Sequence, residues 1–128
     1  MVSVSILDMN NFENIEVGMA SQRSVVVEEK HTVSHTNSAI LSTPKMIGLM
    51  ENVSSSLVQP LLPSGFVTVG FDFNIRHKAP SKIGSEIIVS SKVLEVDGRR
   101  LLFEVQVQQG EVTIGEGLHR RTIIAIQR

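Results

Sequence analysis

Three residues of this chain carry side chains suited to acid–base or nucleophilic chemistry and stand where the local pattern can hold them: Thr43, Glu51 and His77. Thr43 opens the run STPKMIGLMENVSSSLVQ, Ser42 to Gln59. A threonine before a helix-initial proline is a good N-cap, because its hydroxyl accepts from the free N–H groups of the first turn and the proline's missing N–H costs nothing there. Glu51 follows Leu49 and Met50 in the most apolar part of the run. At about 100° per residue, the eight steps from Thr43 leave it roughly 80° away in projection, so hydroxyl and carboxylate could serve one site with the acid two turns deeper.

Each of these residues also has an ordinary explanation. A threonine there is often only a cap, a lone helix glutamate is often solvated, and a histidine at a strand end is often a surface residue. His77 closes the stretch FVTVGFDFNIRH and enters the turn HKAPSKIG, and loops anchored on rigid elements carry much of protein chemistry. Gly70 interrupts the same stretch at its middle, where glycine marks a bulge or the close approach of another group.

The elements that must position these residues are legible. Met46, Ile47, Leu49, Met50, Val53, Leu57 and Val58 recur at three- and four-residue intervals, which predicts a helix with a broad buried face. Gly48 lies inside it, at a cost of up to about 1 kcal/mol relative to alanine, which implies that another backbone or a ligand comes close. Pro60, Pro63 and Gly65 end the helix and turn the chain. Four strand-like stretches follow: FVTVGFDFNIRH, SEIIVSSKVLEVDG, RRLLFEVQVQQG and EVTIGEGLHRRTIIAIQ. Asp97-Gly98 and Gln109-Gly110 are hairpin signals, and Ala79 to Gly84 is a longer turn.

In the third of these, Leu101, Phe103, Val105 and Val107 alternate with Leu102, Glu104, Gln106 and Gln108, the pattern of an antiparallel sheet with one apolar and one wet face. Before the helix, SVVVEEKHTVS from Ser24 is rich in β-branched residues and reads as a further strand. On a strand, His31 and His35 would stand roughly 13 Å apart, too far to share a metal ion. Val2 to Leu7 forms a short apolar patch in a lead-in of residues 1–15. The layout is therefore α+β: an antiparallel sheet of about five strands wrapped around one long helix, about 44–59, which resembles the hotdog fold.

With 128 residues and 41% hydrophobic content, the chain builds a single domain, residues 1–128. Lys+Arg 12 against Asp+Glu 13 leaves a net charge of −1, so no field draws it to nucleic acid or an anionic membrane. There is no cysteine, which excludes disulfide frameworks, thiolate metal sites and cysteine nucleophiles. No apolar run approaches about 18 residues and the N-terminal stretch lacks the pattern of a secretory signal, so the expected location is cytoplasmic.

TPKMIGLME (Thr43 to Glu51), VGFDFNIRHKAPSKIG (Val69 to Gly84) and GEGLHRR (Gly115 to Arg121) together resemble the fluoroacetyl-CoA thioesterase family of hotdog proteins, over roughly residues 16 to 126. The resemblance implies hydrolysis of a small or short-chain acyl-CoA thioester, with Thr43, Glu51 and His77 as the catalytic constellation. It further implies that the Gly70 N–H lies near the thioester carbonyl and that Arg121 lies near the site. It implies no metal, no bound cofactor, and a homodimer or tetramer with sites near the subunit interface. Lys78, Lys82, Arg99, Arg100, Arg120 and Arg121 are candidates to meet the phosphates of CoA. Pro44-Lys45 stands where some members carry glycine after the threonine, which favours a general short-chain acyl-CoA over a fluorinated one. Two alternatives stay open on the same residues: a hotdog module that binds acyl-CoA without cleaving it, and a hotdog hydratase or dehydratase, which has no need of Thr43.

Overall fold

The computed structural model describes residues 12–34 and 39–126. The Val2 to Leu7 patch and His35 lie outside the described residues. The elements run β1 (Ala20–Val26), a 3-10 turn (Glu29–His31), β2 (Thr32–Ser34), β3 (Ala39–Leu41), α1 (Thr43–Val58), a second 3-10 turn (Gln59–Leu61), β4 (Phe66–His77), β5 (Glu86–Asp97), β6 (Arg100–Gln109) and β7 (Val112–Ala125). Antiparallel pairing orders the main sheet β1-β5-β6-β7-β4, and β2 pairs with β3 in a small second sheet.

The alternation of β6 decides which face is covered. Leu101, Phe103, Val105 and Val107 are buried, and with Ile87, Val89 and Val93 of β5 and Ile114 and Ile123 of β7 they form the floor on which α1 rests. From α1, Met46, Met50, Val53 and Val58 close the core. Ser54 is also fully buried there, bonded to the Met50 carbonyl at 2.9 Å and to Ser91 Oγ of β5 at 2.7 Å. A polar residue on the packed face is tolerated because its hydroxyl is satisfied on both sides. Phe12 and Ile15, from the end of the lead-in, are buried as well, with the Phe12 ring edge-on to Phe66.

Both hairpins fall where the glycines signal them. Asp97 pairs with Arg100 and Gln109 with Val112, and Gly98 and Gly110 take φ of 58° and 57°, the left-handed conformation that two-residue turns demand. One expected strand is shorter than predicted. SVVVEEKHTVS is interrupted after Val26: Glu29–His31 form a 3-10 turn in which His31 Nδ1 accepts from the Glu28 N–H at 2.9 Å, and Thr32–Ser34 resume as β2 in the second sheet. Three consecutive charged residues, Glu28 to Lys30, favour this exposed turn over another paired rung. No helix among the described residues is long and apolar enough to cross a membrane.

Candidate active site

The first turn of α1 corrects one sequence expectation. The N-cap is Ser42, not Thr43: Ser42 has extended backbone (φ −78°, ψ 147°) and its hydroxyl accepts from the Lys45 N–H at 3.2 Å. Thr43 is the first helical residue and Pro44 the second. Two hydroxyl residues in tandem let the earlier one satisfy the helix end, which releases Thr43. Its Oγ1 lies 2.8 Å from His77 Nδ1, joining the start of α1 to the end of β4. Ile40, Thr43, His77, Lys78, Ala79 and Pro80 line an open cleft of about 340 Å³ at this junction. His77 Nε2 is buried and has no hydrogen-bond partner among the described residues.

Glu51 is held elsewhere on the helix. Its Oε2 accepts from Arg121 Nη1 at 3.0 Å, with the arginine side chain buried and the glutamate partly exposed. Arg121 is itself fixed on both edges, since Nε donates to Thr68 Oγ1 at 2.8 Å and Nη2 to the Thr68 carbonyl at 2.9 Å. Burial pushes the Arg121 pKa down, and the hydrogen bond and charge of the facing Glu51 carboxylate oppose that shift. His119, fully buried, places Nε2 3.2 Å from the same Nη1.

Gly70 makes this convergence possible. The β4–β7 register shifts between Gly70 and Asp72, the bulge its position predicts. A Cβ on Gly70 would sit 2.5 Å from Glu51 Oε2, 2.8 Å from His119 Cε1 and 3.1 Å from Arg121 Nη1. Only glycine leaves room for all three groups. Gly48 is different: nothing lies within 4 Å of a Cβ built there, so no other backbone approaches, and it faces an open groove with Lys30, His31 and Lys45.

The structure therefore brings the five residues together as two groups within the chain. Thr43 and His77 form one; Glu51, Gly70 and Arg121 form the other. Among the described residues, no hydrogen bond joins Glu51 to either member of the first group. The separation follows from element geometry: eight helical residues span about 12 Å along the axis, and the seven steps from Gly70 to His77 on β4 span about 23 Å.

Thr68 and His119 belong to the second group and were not singled out from the sequence. The available signal was spacing, since His119 and Arg121 are two apart on a strand and so share a face. Of the residues proposed to meet CoA phosphates, Arg121 is committed inside, Lys78 pairs with Glu116 at 3.5 Å and Arg120 with Asp72 at 3.5 Å. No group of three potential metal ligands occurs among the described residues.

This arrangement has relatives. A model of the fluoroacetyl-CoA-specific thioesterase family (FlK) matches residues 22–127. The fluoroacetyl-CoA thioesterase of Streptantibioticus cattleyicolor is 30% identical over 89 residues, which are 70% of this chain and 64% of that protein. A variant of the FlK thioesterase solved in complex with fluoroacetate and CoA superposes with a TM-score of 0.82 at 28% identity, covering 88% of this chain and 97% of that one. A hot-dog-like protein from Thermanaerovibrio acidaminovorans, 21% identical, shares the fold with a TM-score of 0.82 over 88% of this chain and 86% of its own. With the matched region reaching from β1 through β7, the chain belongs to the fluoroacetyl-CoA-specific thioesterase family and has its hotdog fold.

Proposed function

We propose that this protein hydrolyses a small acyl-CoA thioester to the free acid and CoA, with Thr43, Glu51 and His77 as the catalytic residues. The observation that carries this reading is the Thr43 Oγ1 to His77 Nδ1 bond: a hydroxyl that a cap would otherwise consume is turned on an imidazole. The family relatives, which include a structure with fluoroacetate and CoA, supply the substrate class.

Glu51 acts on the thioester carbonyl, either as the nucleophile that forms a transient anhydride or as the base that takes a proton from water. Arg121 holds one carboxylate oxygen and so aims the other. The oxygen of the carbonyl gains charge as the carbon becomes tetrahedral, and the Gly70 N–H is the donor to meet it. When the C–S bond breaks, the electron pair leaves on the CoA sulfur and His77 passes it a proton; the water that attacks the carbonyl, or that opens the anhydride, supplies that proton back through Glu51, so imidazole and carboxylate end as they began. Thr43 holds Nδ1, and Nε2 is the nitrogen that has no protein partner among the described residues.

Because the two groups lie apart in one chain, each site is completed by a second copy. β4 is an edge strand twelve residues long and exposes Val69, Phe71 and Phe73, a surface that pairs with another chain unless it is protected. Antiparallel pairing of two β4 strands about an axis between Phe73 and Asn74 sets Gly70 opposite His77 of the partner subunit. Each site then combines Glu51, Gly70 and Arg121 of one protomer with Thr43 and His77 of the partner subunit.

The test is thiol release from short acyl-CoAs by wild type, Glu51→Gln and His77→Ala. Each variant alone is expected to lose at least about a hundredfold in turnover. Mixed and allowed to exchange subunits, the two variants regain roughly a quarter of wild-type activity, because a heterodimer carries one intact site. Saturable binding of acyl-CoA by wild type with no thiol release would overturn hydrolysis, and failure of the mixture to recover would overturn the shared site.

A further inference from the structure

We propose that His119 is a positioning residue for Glu51, acting through Arg121 as a neutral imidazole that carries its proton on Nδ1. This rests on the reading of Glu51 as the acting carboxylate. The tautomer follows from the two neighbours. Arg121 Nη1, 3.2 Å from Nε2, can only donate, so Nε2 must accept. The Asp72 carbonyl, 3.0 Å from Nδ1, can only accept, so Nδ1 must carry the hydrogen.

Nη1 has two hydrogens, and both are assigned. One points to His119 Nε2 and the other to Glu51 Oε2. Thr68 fixes the remaining edge of the guanidinium through Nε and Nη2. The plane of the arginine, and with it the direction in which the carboxylate is held, is thereby set from three sides.

The imidazole is in turn immobilised. It is fully buried and stacks on Phe73 with ring centroids 4.2 Å apart and 12° between planes, with Phe103 6.2 Å away. The bulge that displaces β4 between Gly70 and Asp72 presents the Asp72 carbonyl to Nδ1. Burial lowers the His119 pKa, with Arg121 adding to the effect, while the Asp72 carbonyl, Glu51 and the Asp72 carboxylate oppose it; the neutral ring is the favoured form at neutral pH. Protonation would place an N–H against Nη1 and break the link to Glu51. His119 is thus a second layer of support behind a reacting group, and such support governs rate more than binding.

Four measurements on the protein decide the matter. In ¹⁵N spectra of histidine-labelled wild type at neutral pH, His119 is expected with a protonated Nδ1 and an unprotonated Nε2. His119→Phe keeps the stacking with Phe73 but cannot accept; its kcat is expected to fall about tenfold to a hundredfold with KM unchanged. The acid limb that His119 contributes to the wild-type kcat profile should vanish in that variant. His119→Gln, whose amide oxygen can accept from Nη1, should recover most of the loss.

An imidazolium or the opposite tautomer in the spectrum would overturn the inference. So would a folded His119→Phe with wild-type kcat and an unaltered pH profile, while Glu51→Gln is inactive. Full turnover by Glu51→Gln would instead remove the reading of the site itself, and this inference with it.

Discussion

At the scale of single residues, the candidate site is shaped by which hydroxyl and which ring are already spoken for. Ser42 occupies the cap, so Thr43 is available to His77. His119 has given both nitrogens to structure, whereas His77 has given one. The buried ring also makes stability pH-dependent. Its folded pKa is lowered from the ordinary 6.5, so the unfolded chain binds more protons and the neutral ring's contribution is fully present above about pH 6.5 and lost as pH falls through the folded value. Thermal melts from about pH 7.5 to about pH 5 should show wild type losing more Tm than His119→Phe does. Equal losses would mean that His119 does not titrate with folding.

At the scale of elements, α1 and β4 each carry one member of both groups, and this is why the groups are separate. Thr43 and Glu51 lie on one helix, His77 and Gly70 on one strand, and regular elements fix spacing rigidly. The hydrogen bond from Thr43 to His77 ties the start of the helix to the end of the strand, while the Arg121 to Glu51 pair ties the middle of the helix to β7. The capping serine offers a test that separates stability from chemistry. Ser42→Ala should cost about 1 kcal/mol in denaturant unfolding and leave kcat within about twofold, since Thr43 keeps its own partner. A large fall in kcat with no loss of stability would show that Ser42, not Thr43, serves the reaction.

For the whole molecule, the proposed shared site makes activity depend on the exposed edge of β4. If two copies join there, a like-charge pair near the axis should weaken the dimer and the hydrolysis together. Asn74 is exposed on that strand. Asn74→Lys is expected to shift sedimentation toward monomer, with turnover falling in proportion to the monomer fraction. Full activity in a purely monomeric sample would disprove the shared site.

Much of this protein was determined locally. The helix stood within one residue of its expected span and β4 ran from Phe66 to His77 as read, because hydrophobic period, proline and glycine punctuation act over a few residues. The alternation of β6 fixed which face is buried, and Gly70 was marked as a bulge for the same reason. Tertiary structure alone decided how the side chains pair. That Thr43 meets His77 and that Arg121 is spent on Glu51 and Thr68 depends on groups 34, 53 and 70 residues apart in the chain. No local pattern encodes such contacts, since each arises only when α1 is laid across the sheet and a guanidinium, an imidazole and a carboxylate must satisfy one another out of water.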